Sequence, residues 1–414
     1  MTERRYYDKL ETRDPEERER ALMATLPQQV AHARRAAVYF AERLRDIEPR
    51  GVNSRKALAL LPVTRKSQLI EIQRKALPFG GLNAAAPDQL QRIFMSPGPI
   101  YDPEGRRADY WRMARALFAA GFRSGGLIHN CFSYHLTPAA AMIESGAQAL
   151  GCPVIPGGTG QTELQVKVIV DLQPQGYTGT PSFLRLILEK ARELGADISC
   201  LKRALVSGEA FTPALRSVMV SYQLAAFQTY GTADVGNIAY ETEARDGLVL
   251  DEGIILEIVR PGTSDPVPEG EVGEVVVTTL TADYPLVRFG TGDLSAILPG
   301  QSPCGRTNQR IRGWMGRADQ TTKVKGMFVH PEQVAEILKR HQEVGRGRLV
   351  ITHDGHNDIM TLKAEVPAGT DPGLALKLAE SLAAITKLTG MVTLVPPKSL
   401  ANDGKVIEDA RKHE

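Results

Sequence analysis

The chain has 414 residues, with 50 basic against 48 acidic side chains and a formal net charge of +2. That length exceeds one compact core and predicts two or three domains. So even a charge balance gives no electrostatic reason to expect nucleic acid or an anionic membrane surface as partner. The hydrophobic share of 43% is that of an ordinary globular protein. No run of about 18 apolar residues occurs, so no membrane span is expected. The first residues, "MTERRYYDKLETRDPEERERALM", are charged throughout and unlike a signal peptide. Four scattered cysteines (Cys131, Cys152, Cys200, Cys304) form no CxxC pair. They read as small buried hydrophobes in a reducing, cytoplasmic setting.

In chain order, residues 15 to 48 predict two helices, and "LLPVTRKSQLIEIQRK" predicts a Thr-capped helix after a Pro-containing turn. From about residue 108 helices and strands alternate. "ADYWRMARALFAAGF" is an amphipathic helix ending at Gly121, and "GLIHNCF" a short apolar strand. The helices of "TPAAAMIESGAQALG", "LQVKVIVDLQP", "PSFLRLILEKARELG" and "TPALRSVMVSY" interleave with the strands of "CPVIPGG", "GYTGT", "LKRALVSGEAF" and "AAFQTYG". Pro181 suits the first turn of its helix. The alternation predicts an α/β body with a covered parallel sheet. Residues 248 to 316 turn β-rich with Gly/Pro turns, as an antiparallel subdomain would. Residues 319 to 414 run β-α-β-β-α-β, a small α+β unit, with the hairpin "GRLVITHDGHNDIMTLKAEV" turning between His353 and His356. The expected division is an N-terminal domain over 1–318 and a mobile C-terminal lid domain over 319–414, hinged near 319.

Four stretches in order, "TYGTADVG", "PLVRFGTGDL", "GRADQTTKVKGMFVHPEQVAEIL" and "SLANDGKVIEDA", resemble the adenylate-forming superfamily of acyl-CoA synthetases, adenylation domains and luciferases. Within it the chain resembles the phenylacetate–CoA ligase branch, as "LPVTRKSQL" and "CGRTNQRI" also do. The likeness covers nearly the whole chain. It implies an AMP-forming ligase that activates a carboxylic acid with Mg-ATP and passes the acyl group to coenzyme A. A carboxylate is a poor electrophile, and AMP converts it into a mixed anhydride with a good leaving group. The protein must then neutralise phosphate charge, align the carboxylate and exclude water.

By the same resemblance, Lys405 in "NDGKV" is the catalytic lysine, a mobile point charge bridging carboxylate and α-phosphate. From composition alone it would be a solvated tail lysine. Asp293 in "FGTGDL" is expected to hold the ribose hydroxyls, where a bland reading is a turn-capping acid. Arg317 would meet the ribose or phosphate, and Asp319 would be the hinge. Tyr230 could stack on adenine, with Gly231 letting the backbone come close. Glu209 in "VSGEAF" matches the adenine-side turn. Phe132, Ser133 and Tyr134 match an aromatic acyl pocket, and Gly326, Met327 and Phe328 the passage for CoA. Relatives are often dimers, so a homodimer is the assembly to test. Some relatives carry a Cys/His cluster near "CGRT"; here only Cys304 remains and Asn308 stands for the His, so no zinc is expected. Cys131 and His135 lack a supporting acid and do not read as a nucleophile pair.

Two departures stand out. After "YGT" the family has Ser or Thr and then Glu; here stand Ala233 and Asp234, so a phosphate-facing hydroxyl is missing and the Mg²⁺ carboxylate is one methylene shorter. The phosphate loop of the branch carries hydroxyls, two glycines and a lysine, which wrap the β- and γ-phosphates. In register this chain keeps Ser96 and Gly98, but has Pro97, Pro99, Ile100, Tyr101 and Asp102 elsewhere. Each proline removes a backbone donor. An ionised Asp102 would repel phosphate by ~4 kcal/mol per pair at ~4 Å and an effective dielectric of ~20. The AMP half of the nucleotide site is thus kept and the pyrophosphate half altered. The first expectation is an acid–CoA ligase for an aromatic or small organic acid. The rivals are a binding protein that senses AMP, acyl-adenylate or acyl-CoA, and an adenylate-forming enzyme with a non-CoA acceptor.

Overall fold

A computed structural model describes residues 5–318, 320–324, 327–353 and 358–411. The expected hinge Asp319, the CoA-side Gly326 and the turn residue His356 lie outside the described residues. The fold is α/β, as the alternation predicts. A nine-stranded sheet carries a parallel core of Val154–Pro156, Ile128–Asn130, Gly176–Gly179, Arg203–Val206 and Ala225–Thr232, in that spatial order. The sheet then turns antiparallel through Gly236–Glu241, Leu248–Leu250 and Arg310–Ile311, with Ile297–Leu298 as the ninth strand at its edge.

Most of the parallel strands are short and rich in apolar or small residues because both faces are covered, with His129, Asn130, Arg203 and Gln228 as polar exceptions. Helix Pro181–Glu193 shows why such segments form: Thr180 accepts from the Phe183 N–H, Pro181 fills the first turn, and Leu184, Ile187, Leu188 and Ala191 recur at helical spacing to bury one face. Those side chains pack with Tyr177, Ala204, Val206 and Met219 in one core cluster. A second cluster, from Trp111 and Leu117 to Phe132 and Ile143, fills the other side. The expected long helix at 108–122 is shorter, Ala114–Ala119, because Asp109 and Arg112 adopt positive φ before it. The expected Thr64 cap is also absent. Thr64–Arg65 is a short strand, followed by a single 3₁₀ turn, Lys66–Gln68, and the helix Leu69–Lys75.

Residues fall into two compact units. One comprises 1–256, 277–289 and 298–314; the other 257–276, 290–297 and 315–414. Within the second, Gly347–His353 and Asp358–Glu365 form the expected antiparallel hairpin. Met391–Val395 and Ile407–Asp409 flank it in parallel, and the helices Pro331–Lys339 and Leu374–Thr386 cover it. Among the described residues no helix is long and apolar enough to cross a membrane.

Candidate active site

The strand Ala225–Thr232 ends in a bulge. Tyr230 pairs with Ala239, but Gly231 pairs with Asn237. The next strand comes so close that a Cβ on Gly231 would lie 2.4 Å from the Gly236 carbonyl oxygen, so only glycine fits. Beyond the bulge, Thr232 and Ala233 form one wall of a cavity of about 200 Å³. Its other walls are apolar: Met113, Phe132, Met142 and Ile143. The polar groups at its edge are already satisfied. Thr229 donates to Asn237 at 2.7 Å, and Asn237 donates to the Arg112 carbonyl at 3.1 Å. Of the three residues expected here, Phe132 lines the cavity. Ser133 and Tyr134 are not among its lining residues. Ser133 accepts from the His135 N–H, and the Tyr134 hydroxyl accepts from Asn130 and donates to Glu144 at 2.9 Å. Glu209 follows a strand end and accepts from the Ser182 N–H at 2.6 Å, which makes it a partner of a helix N-terminus. Cys131 is buried, which pushes its thiol up, and His135 is exposed, so they make no pair.

The segment aligned with a phosphate loop is a β-hairpin. Arg92–Ser96 pairs with Ile100–Glu104 around Pro97, Gly98 and Pro99. The retained Ser96 hydroxyl points back into the hairpin and donates to the Ile100 carbonyl at 3.4 Å. The Gln73 side chain clamps both backbone groups of Tyr101, at 2.8 and 2.9 Å. Asp102 has no solvent exposure. Burial, then the neighbouring Asp234 carboxylate, holds its carboxyl well above the usual range; Ser96 and Lys66 oppose this more weakly. The carboxyl expected to face phosphate is therefore turned inward, where burial disfavours its charged form. The physical reason is that the hairpin closes and turns Asp102 inward.

Asp234 is buried beside it. Its Oδ2 lies 2.6 Å from Lys66 Nζ, and its other oxygen is buried near the Asp102 carboxyl. As the residues stand they do not fit a divalent cation, because the carboxylate that the resemblance assigns to Mg²⁺ carries an ammonium group. Lys66 was not singled out from the sequence, although it stands in "LPVTRKSQL". The signal was the position of a lysine in that motif, which has no meaning until the short strand Thr64–Arg65 brings it to Asp234.

In the second unit, Asp293 sits in the strand Phe289–Ser295, and its Oδ1 is 2.9 Å from Arg317 Nη1. Gly292, at φ +75°, makes room for that guanidinium: a Cβ there would lie 2.7 Å from Arg317 Nη2. Lys405 follows a tight turn. Asp403 accepts the Lys405 N–H at 3.0 Å, and Gly404 at φ +71° packs against Val272 and Leu294, the neighbour of Asp293. The Lys405 side chain is exposed and lines a small cleft with Arg260, Glu271 and Arg346. Three residues distant in sequence, Asp293, Arg317 and Lys405, are thus carried by segments that pack on one another. Met327 lies half-exposed in the strand Met327–Val329. Cys304 is buried and hydrogen-bonds with Ser302, while Asn308 donates to the Leu250 carbonyl.

The apolar cavity and the hairpin stand in one unit of an α/β protein, and the Asp–Arg pair and the lysine turn in the other. No family model matches the chain. It is 32% identical over 380 residues to the phenylacetate–coenzyme A ligase of Thermus thermophilus, spanning 87% of this chain and 84% of that protein. To the phenylacetate–coenzyme A ligase of Escherichia coli it is 34% identical over 326 residues, 75% of this chain and 73% of that protein. An open conformation of 2-hydroxyisobutyryl-CoA ligase, in complex with 2-HIB-AMP and CoA, superposes with a TM-score of 0.74 at 25% identity, covering 97% and 93% of the two chains. The chain belongs to the phenylacetate–CoA ligase family.

Proposed function

We propose that the protein is an AMP-forming acid–CoA ligase acting on an aromatic or small apolar carboxylic acid. In the first half-reaction a carboxylate oxygen attacks the α-phosphorus of ATP, giving acyl-AMP and pyrophosphate. In the second, the CoA thiol loses its proton, attacks the acyl carbon and expels AMP. The cavity that opens at Thr232 and Ala233 carries this reading: it has room for one small acyl group and no charged side chain in its walls. Lys405 supplies positive charge to the carboxylate and α-phosphate. Asp293 accepts from the ribose hydroxyls, and Arg317, paired to Asp293, contacts the phosphate side. Tyr230 and Gly231 flank adenine, with Glu209 on the turn below. Met327 and Phe328 pass along CoA, and motion about Asp319 separates the two half-reactions. Asp234, the carboxylate that the resemblance gives to Mg²⁺, is engaged by Lys66.

The experiment is to incubate the protein with ATP, CoA and a set of aryl and short aliphatic acids, following AMP and acyl-CoA by mass spectrometry. Acyl-CoA formation that is lost in Lys405→Ala supports the reading. No AMP with any acid contradicts it.

A second reading has its own observation. The closed hairpin and the inward Asp102 favour a protein that holds AMP or acyl-adenylate and has little grip on pyrophosphate. In that case AMP binds and ATP is turned over slowly or not at all.

A further inference from the structure

The strands Arg203–Val206 and Ala225–Thr232 end at the acyl cavity; at their other ends, where they begin, a groove of about 520 Å³ opens. Its floor is apolar, from Phe118, Ala119 and Phe227. Its walls carry five cations, Arg5, Arg123, Lys202, Arg203 and Arg306, against one acid, Glu243. In a chain with 50 basic and 48 acidic residues, that excess is local.

The five cations are not equivalent. Arg306 is buried, and its charge is answered by Glu11 at 2.5 Å and Glu243 at 3.5 Å. Arg5 reaches Glu243 at 3.8 Å. Arg123 lies over the Phe118 ring at 3.9 Å and donates to the Phe118 and Phe122 carbonyls. Lys202 and Arg203 form no ion pair or side-chain hydrogen bond with any described residue. Arg203 is nonetheless half-buried, and Gly121 at φ +90° makes room for it: a Cβ there would lie 3.0 Å from Arg203 Nη1. A half-buried guanidinium without a counter-charge, over an apolar floor, concentrates positive potential where an anion can reach it. Its planar fork suits a phosphate oxygen pair. A neighbouring groove shares Ala225 and adds Arg216, Arg245 and Arg312, but there Arg216 and Arg245 already share Glu241 at 3.0 Å each. Lys202 feels the Asp197 carboxylate at longer range, and Arg312 in the neighbouring groove is exposed, so the half-buried cation without a counter-charge is Arg203, with Lys202 beside it.

We propose that this groove binds a phosphate-bearing anion at a site separate from the acyl cavity, with Lys202 and Arg203 as its principal partners. The ligand is either an inorganic phosphate anion or the phosphate end of a nucleotide. The test is calorimetry on the full chain with pyrophosphate and, separately, with ADP. The variants are the double charge reversal Lys202→Glu/Arg203→Glu, the single Lys202→Glu at an exposed position, and Asp293→Asn as a control in the proposed adenylate site. The proposal expects pyrophosphate affinity to fall at least tenfold in the double reversal and severalfold in Lys202→Glu. AMP binding stays unchanged in both, and Asp293→Asn leaves pyrophosphate binding intact. ADP binding that falls in parallel and exceeds pyrophosphate identifies a nucleotide; pyrophosphate binding at least as strong as ADP identifies the inorganic anion. Pyrophosphate binding that is absent at millimolar concentration, unchanged by both reversals, or lost only in Asp293→Asn overturns the proposal. The last pattern would assign the binding to the adenylate site and leave the proposed ligase activity untouched.

Discussion

The sequence motifs assign the hairpin at 92–104 to phosphate and the turn at 402–405 to the reacting carboxylate, yet the two segments treat charge in opposite ways. At the turn, the Asp403 carboxylate pairs with Arg348 and accepts the backbone N–H of Lys405, and the lysine side chain is exposed. At the hairpin, Asp102 is buried where its charged form is disfavoured, and Lys66 lies 2.6 Å from Asp234. The lysine is left exposed, whereas the Asp102 carboxyl is folded inward, where burial and the neighbouring Asp234 carboxylate disfavour its charge. On the proposed reading, the AMP side of the nucleotide site is open for chemistry and the pyrophosphate side has become part of the packing.

The largest expected effect tests the exposed side. Lys405→Ala should lower adenylate formation by about 10²–10³-fold, the range for loss of one electrostatic stabiliser of a developing charge. Thioester formation from supplied acyl-AMP should be spared. Single-turnover kinetics of the two half-reactions separates these outcomes, and equal losses in both would point to misfolding or to a different role.

The next effect tests the buried side. Lys66→Ala leaves Asp234 buried without its cation, and breaking such a pair costs roughly 3–5 kcal/mol. Chemical denaturation should show a loss of that order. A loss under 1 kcal/mol would mean that the pair is solvated in practice.

Asp102→Asn should do the reverse, and with a pH dependence. The folded carboxyl sits above its unfolded pKa, so the folded state holds the extra proton. Stability is then fully present below about pH 4, the ordinary Asp value, and is lost as pH rises toward the folded value. The amide does not titrate, so the variant should gain stability over the wild type at pH 8 and gain less at pH 5. A gain that is larger at pH 5 would show an ionised Asp102.

The smallest effect concerns the acyl pocket. Ser133→Ala should change the KM for the acid by less than twofold, because Ser133 does not line the cavity. Met142→Ala, which enlarges the cavity wall, should shift preference toward bulkier acids.

Much of the fold was legible in the sequence because periodicity and caps are local. The Thr180-Pro181 start, the β-α alternation and the C-terminal hairpin all follow from residues near one another. Asp293 and Arg317 were singled out separately by their motifs, but their pairing was not, because it depends on Gly292 admitting the guanidinium. What sequence could not show was direction. "MSPGPIYDPEG" announces prolines and an acid, but whether Asp102 faces phosphate or protein depends on strand pairing with Phe94 and on the Gln73 clamp. Ser133 and Tyr134 failed for the same reason: their motif position was read correctly as a strand end, while the chain after Phe132 turns their side chains toward His135, Asn130 and Glu144. Lys66 went unnoticed because its partner is 168 residues away.

The measurement that tests the central claim most directly is a pair of calorimetric titrations of the purified protein, one with AMP and one with ATP, each with magnesium present. If the pyrophosphate half is closed, AMP binds at least as tightly as ATP, and the β- and γ-phosphates add no affinity. If ATP binds tenfold or more tightly than AMP, the hairpin opens to grip the polyphosphate, and the contrast between the two regions is wrong.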